Sequence, residues 1–168
     1  LRPSNPKLGE IYITNLFENF FSELQADMVS ICLEYVNDRA DKIYIYCSYE
    51  EGMISSDFFY RINNKVIERH KLNDVLNSAE KDVFVYDVSV KRQRGVIKII
   101  NNDIEKSFHL CKRYGREIPT EMKIIYDVKS NKLTANYNYE LVHTNHPVKT
   151  ADDISMEWFE QIQAEKSF

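Results

Sequence analysis

One stretch constrains the fold more than any other: Asp87 to Gly115, DVSVKRQRGVIKIINNDIEKSFHLCKRYG. Val90, Ile97, Ile100, Ile104, Phe108 and Cys111 recur mostly at steps of three and four, which places them on one side of an α-helix. Val96 and Ile99 widen that stripe, as suits a helix lying on a sheet better than a narrow coiled-coil seam. The remaining positions are Lys, Arg, Asn, Asp and Glu. Asp87 or Ser89 offers a side-chain acceptor for the first free amides of the helix. Gly115 supplies a left-handed stop, and Pro119 prevents resumption.

The flanking segments read as strands and helices arranged against this element. Leu16, Phe17, Phe20, Phe21, Leu24, Met28, Cys32 and Val36 predict helix from about Leu8 to Asn37, with a possible break near Gln25–Asp27. KIYIYCSY, Lys42 to Tyr49, alternates as a strand. Glu50-Glu51-Gly52 turns the chain into an aromatic strand, Met53 to Ile62. Asn63-Asn64 then turns it into a short third strand, Lys65 to His70. Asp74 to Lys81 is expected to be a short helix or loop, and residues 82–86 an extra strand or a lead-in. Glu121 to Val128 and Lys132 to Val142 form a second hairpin. In the latter, Leu133, Ala135, Tyr137 and Tyr139 alternate with polar residues, so one face packs and the other meets water. Thr150, with Asp153 three residues on, opens a final helix whose apolar side is Ile154, Trp158, Phe159 and Ile162. The predicted fold class is α+β, a two-layer sandwich in which helices pack one face of an antiparallel sheet of about five strands. Residues 1–7 are expected to be disordered or foreign to the domain, and residues 8–168 to form a single domain.

Composition narrows the function classes. The chain has 168 residues, 43% of them hydrophobic, with no long unbroken apolar run, so no membrane span is predicted. A net charge of -4 disfavours non-specific nucleic-acid binding, which needs basic surface. Lys91, Arg92 and Arg94 are a short basic run read as a solvated helix face. LRPSNPKLGE lacks the apolar segment of a signal peptide. Cys32, Cys47 and Cys111 are widely spaced and sit in apolar patterns. They are expected to be reduced core thiols, which points to the cytoplasm.

No catalytic signature stands out. His143 and His146 are close enough to share a metal, but no third ligand is spaced to join them, so no metal site is predicted. His70 and His109 are isolated. There is no G-x-S-x-G, and four glycines cannot build a glycine-rich phosphate loop. The eleven tyrosines, many on predicted strands, suit either cross-strand packing or an interface.

KIYIYCSYEEG followed by SDFFYRI resembles the first hairpin of the YezG-like immunity-protein family. EMKIIYDVKSNKLTANYNYE is similar to its second. The resemblance spans roughly Asp41 to Glu140, and Asp38-Arg39-Ala40 stands where family members often carry a tryptophan. It implies a cytoplasmic antitoxin that neutralises a cognate polymorphic toxin, commonly a nuclease domain, by direct contact and without a cofactor. Nucleic acid and membrane are not expected partners. A basic toxin would be met by acidic and aromatic positions at the turns and before the long helix, for which the candidates are Glu50, Glu51, Asp57, Tyr60, Asp74, Glu80 and Asp82. The alternatives are a small hydrolase using one of the four histidines and a non-toxin regulatory module of the same fold.

Overall fold

The central strand explains most of the architecture. In the computed structural model, which describes residues 8–165, β1 (Lys42–Glu50) is buried on both sides along nearly its whole length. Ile43, Ile45 and Cys47 point to one face and Tyr44 and Tyr46 to the other. A strand apolar on both faces belongs in the middle of a sheet covered twice. The sheet order is β3-β2-β1-β4-β5, with β2 (Met53–Ile62), β3 (Lys65–Glu68), β4 (Glu121–Asp127) and β5 (Lys132–Asn138). All neighbours are antiparallel, and Ile45 sits between Phe58 and Ile124. The fold is therefore α+β on a five-stranded antiparallel sheet, as the patterning predicts.

Two long helices cover the Ile43 face. α1 (Leu8–Tyr35) runs unbroken for 28 residues. No kink occurs at Gln25–Asp27, because Gln25 is buried and its amide donates to the Tyr137 hydroxyl at 2.6 Å. Asn37 and Asp38, both at positive φ, end the helical segment. A 3-10 segment (Arg69–Val75) and α2 (Ser78–Val83) follow β3, and residues 84–89 are the lead-in to the next helix and not a strand. α3 (Val90–Arg113) is the helix anticipated from the sequence. Ser89 Oγ accepts from the Arg92 N–H, and Val96, Ile100, Ile104 and Cys111 are buried. Val90 is exposed, so the buried stripe begins one and a half turns later than its sequence suggests. Gly115 stands at φ +64 with open space around its would-be Cβ. Gly115→Ala should therefore cost about 1 kcal/mol through backbone strain alone, readable as a small fall in the urea midpoint.

The second face is not left to water. α4 (Ala151–Ala164) begins with the Thr150–Asp153 capping box and lies over Tyr44, Tyr46 and Phe59. Trp158 and Phe159 meet Phe59 edge-on at 5.2 and 5.1 Å, while Tyr44 stacks on Phe59 at 4.8 Å. These rings bury too much apolar area to be stable exposed. The last helix thus adds a layer opposite α1 and α3. Only edge strand β5 shows the half-wet alternation expected of it. No described helix is long and apolar enough to cross a membrane. Cys32, Cys47 and Cys111 are buried and unpaired. Residues 1–7 lie outside the described residues, as do 166–168.

Candidate functional site

Along the second face of β1 the side chains change from aromatic to polar: Tyr44, Tyr46, Ser48, Glu50. α4 covers the aromatic end. The polar end is roofed by the loop after β5, and Glu50 is what holds that roof. Its side chain is fully buried. Its Oε1 accepts the Val142 N–H at 2.9 Å and the His143 and Thr144 N–H groups at 3.3 Å, while Oε2 lies 2.7 Å from His143 Nε2. Ser48 Oγ lies 3.2 Å from the same Nε2. Next to it, opposite Ser48 on β4, Glu121 accepts the Tyr46 hydroxyl at 2.7 Å. Burial, and then the Glu121 carboxylate, push the Tyr46 phenol well above its ordinary range.

A serine, a histidine and a glutamate in contact suggest a nucleophile relay, but this geometry does not form one. A relay needs the acid on one ring nitrogen and the nucleophile on the other. Here both meet Nε2, and Ser48 is 1% exposed. The cluster is an anchor for the 139–150 loop. The other histidines are local too. His146 Nδ1 accepts the N–H groups of Val148 and Lys149, His70 pairs with Glu68, and His109 lies near Glu105 one helical turn away. Among the described residues no group of three or more His, Cys, Asp or Glu is placed to hold a metal.

The seven residues proposed for a toxin-binding surface do not form one patch. Glu50 does not project from its turn; it is buried and saturated by the loop. Tyr60 is wholly buried among core residues, with its hydroxyl donating to the Cys32 carbonyl at 2.6 Å. Turn position and strand pattern misplace both, because Glu50 is the last residue of β1 facing the roofed side and Tyr60 points to the α1 side. Asp57 is half-buried and engaged with Arg69, with Ser155 Oγ at 3.2 Å and with the Phe58 N–H at 2.7 Å. Glu51 is exposed at the β1–β2 turn.

Asp74, Glu80 and Asp82 are exposed together around α2, near the opposite end of β1. A nine-residue strand, roughly 30 Å long, separates them from Glu51. The segment that carries them is well fixed. Leu72 and Val75 are buried, Asn73 bonds both the N–H and the carbonyl of Tyr86, and Asn77 forms a reciprocal cap with Glu80. Arg39 lies over the Phe84 ring at 3.7 Å. Beside the acids, Val83 is 88% and Val85 58% exposed.

Sequence reading weighed His143 only as a metal ligand or a hydrolase histidine and missed Ser48 and Glu121, because the proximity of the three depends on pairing β1 with β4 and on the fold of an irregular loop. It also passed over Asp103, although a lone carboxylate three residues from Ile100 on an apolar stripe is a visible signal. No protein-family model matches the chain, and no curated protein matches it either.

Proposed function

We propose that this chain is an immunity protein that neutralises a basic toxin, most simply a nuclease domain, by direct contact. The observation that carries the reading is the fixed segment from Asp74 to Val85, which exposes three carboxylates beside two bare valines. Acidic groups on a pre-formed support accelerate encounter with a basic partner, and adjacent apolar side chains give it something to bury. The overall charge of -4 has the same sign. The hairpins that resemble YezG-like immunity proteins supply the expectation that the partner is a toxin, and no cofactor is needed for such blocking.

The test begins with the gene immediately upstream: a large toxin-like reading frame is expected there, and protection and binding are then measured with its product. Wild-type chain should rescue growth and form a stable complex. The combined Asp74→Lys, Glu80→Lys and Asp82→Lys variant should associate at least tenfold more slowly at low salt, with a flattened salt dependence. An unchanged rate with unchanged salt dependence would remove this surface from the interface. Absence of any complex or rescue by the wild type would reject the immunity reading itself.

A further inference from the structure

α1 and α3 lie side by side on the sheet, and between them runs a groove of about 410 Å3 lined by Phe20, Leu24 and Leu110 together with Asp27, Asp103 and Lys106. Asp103 is the unusual member. It lies on the buried stripe of α3, is 2% exposed, and its Oδ2 has no hydrogen-bond partner among the described residues. A buried carboxylate oxygen without a donor is costly, and native folds seldom leave one without a use. Asp27 of α1 meets the Asp103 carboxyl in a side-chain hydrogen bond, which leaves Oδ2 as the oxygen without a partner, and adds a second acidic group. Apolar walls continue to the rim, where Phe20 is 40% exposed.

We propose that this groove is a guanidinium site, which receives one arginine side chain of a protein partner against Asp103 and Asp27. It rests on the partner-binding reading above and gives that reading a second contact point. Arginine fits better than lysine, because guanidinium is weakly hydrated and planar, and its donors spread widely enough to serve two carboxylates at once. Its methylene stem suits the Phe20, Leu24 and Leu110 walls. A divalent cation fits less well, since no cluster of three metal-type ligands occurs among the described residues. The groove's own cations, Lys106 and Arg113, face the carboxyls of Glu23, Asp27 and Asp103, so the lining becomes net negative once Asp103 ionises. Lys106 and Arg113 are both exposed, and the Arg113 guanidinium lies over the Tyr114 ring at 5.7 Å.

The Asp103 carboxyl is raised to about 7, by burial first, then by its hydrogen bond with Asp27 and by the charge of that group, with Lys106 acting in the opposite sense. Guanidinium does not titrate in this range. Cys47, which faces Asp103 from β1, is pushed far upward by burial and stays neutral. The site therefore gains its charge as pH rises through about 7, and binding should strengthen between pH 6 and pH 8.

The probe is N-acetylarginine amide, with N-acetylcitrulline amide as its neutral counterpart, titrated into the full chain while the Leu24 and Leu110 methyl resonances are followed. The expected result is saturable shifts with the arginine compound only, tighter at pH 8 than at pH 6, and weakened at least tenfold in Asp103→Asn and in Asp27→Asn. The latter alters an exposed residue and is not expected to disturb folding. No saturable shift, equal response to citrulline, or full binding by both variants would overturn the site. In the toxin complex, Asp103→Asn should raise the dissociation constant at least tenfold, and a change of less than twofold would overturn the assignment to a partner arginine. If the wild type forms no toxin complex, the immunity reading fails, and the probe titration still decides the groove.

Discussion

Replacing Glu50 with alanine is expected to destabilise the fold by roughly 3–5 kcal/mol and to free the loop that follows β5. The reasons are local and cumulative. Glu50 is the shared acceptor for three consecutive backbone N–H groups and for the His143 ring. Truncation leaves those donors facing an apolar gap, and an unmet buried donor costs about 1–3 kcal/mol. Glu50→Gln keeps the shape and one acceptor oxygen, so it should lose about half as much. The measurements are urea denaturation for stability and hydrogen exchange at residues 142–144 for the loop. Unchanged exchange at those amides in Glu50→Ala would show that the loop is held by something other than this carboxylate. Because α4 begins just after the loop, the variant should also loosen the Trp158–Phe59 contact, visible as a red shift in the fluorescence of the single tryptophan.

The same residue shows what a sequence exposes and what it conceals. Glu50-Glu51-Gly52 is plainly a turn, and Gly52 at φ +80 with Glu51 at φ 50 confirms the local chemistry. Whether a turn carboxylate points to water depends on what later chain folds over it, and the covering loop lies about 90 residues downstream. Long-range facts of that kind leave no periodic trace. Tyr60 fails for a related reason: alternation assigns it to one face of β2 but cannot say which face carries α1. The elements themselves were legible because each is fixed by local signals, such as Ser89 and Gly115 for α3 or Thr150 with Asp153 for α4. The tyrosine-rich second face of β1 could be read as binding surface or as packing, and α4 settles it as packing for Tyr44 and Tyr46. The exposed acids around α2 were legible for the opposite reason. They sit on a short helix between turn residues, where local polarity does predict exposure.

Asp103→Asn is expected to stabilise the protein at pH 8 and to leave its stability at pH 4 unchanged. In the folded chain the Asp103 carboxyl titrates at about 7, whereas in an unfolded chain it titrates at about 3.9. Between those values the folded state keeps a proton that the unfolded state has released. Folding stability then falls as pH rises through that window and stays low above it. The shift corresponds to roughly 2–4 kcal/mol once solvent relaxation around the groove is allowed for. Asparagine has nearly the same shape and carries no titrating proton, so the variant escapes the loss. At pH 4 the wild-type carboxyl is already neutral in the folded state, and the two chains should match. The groups around Asp103 are Asp27 from α1, Lys106 from α3 and Cys47 from β1, and only the Asp103 carboxyl is altered in the variant. Parallel urea denaturations of the two proteins at pH 4 and pH 8 supply the measurement. A stability difference of the same size at both pH values would show that Asp103 is held in its place by packing alone. A protein that keeps such a residue accepts a weaker fold at neutral pH, which is the cost expected of a carboxylate retained to meet a cation from outside.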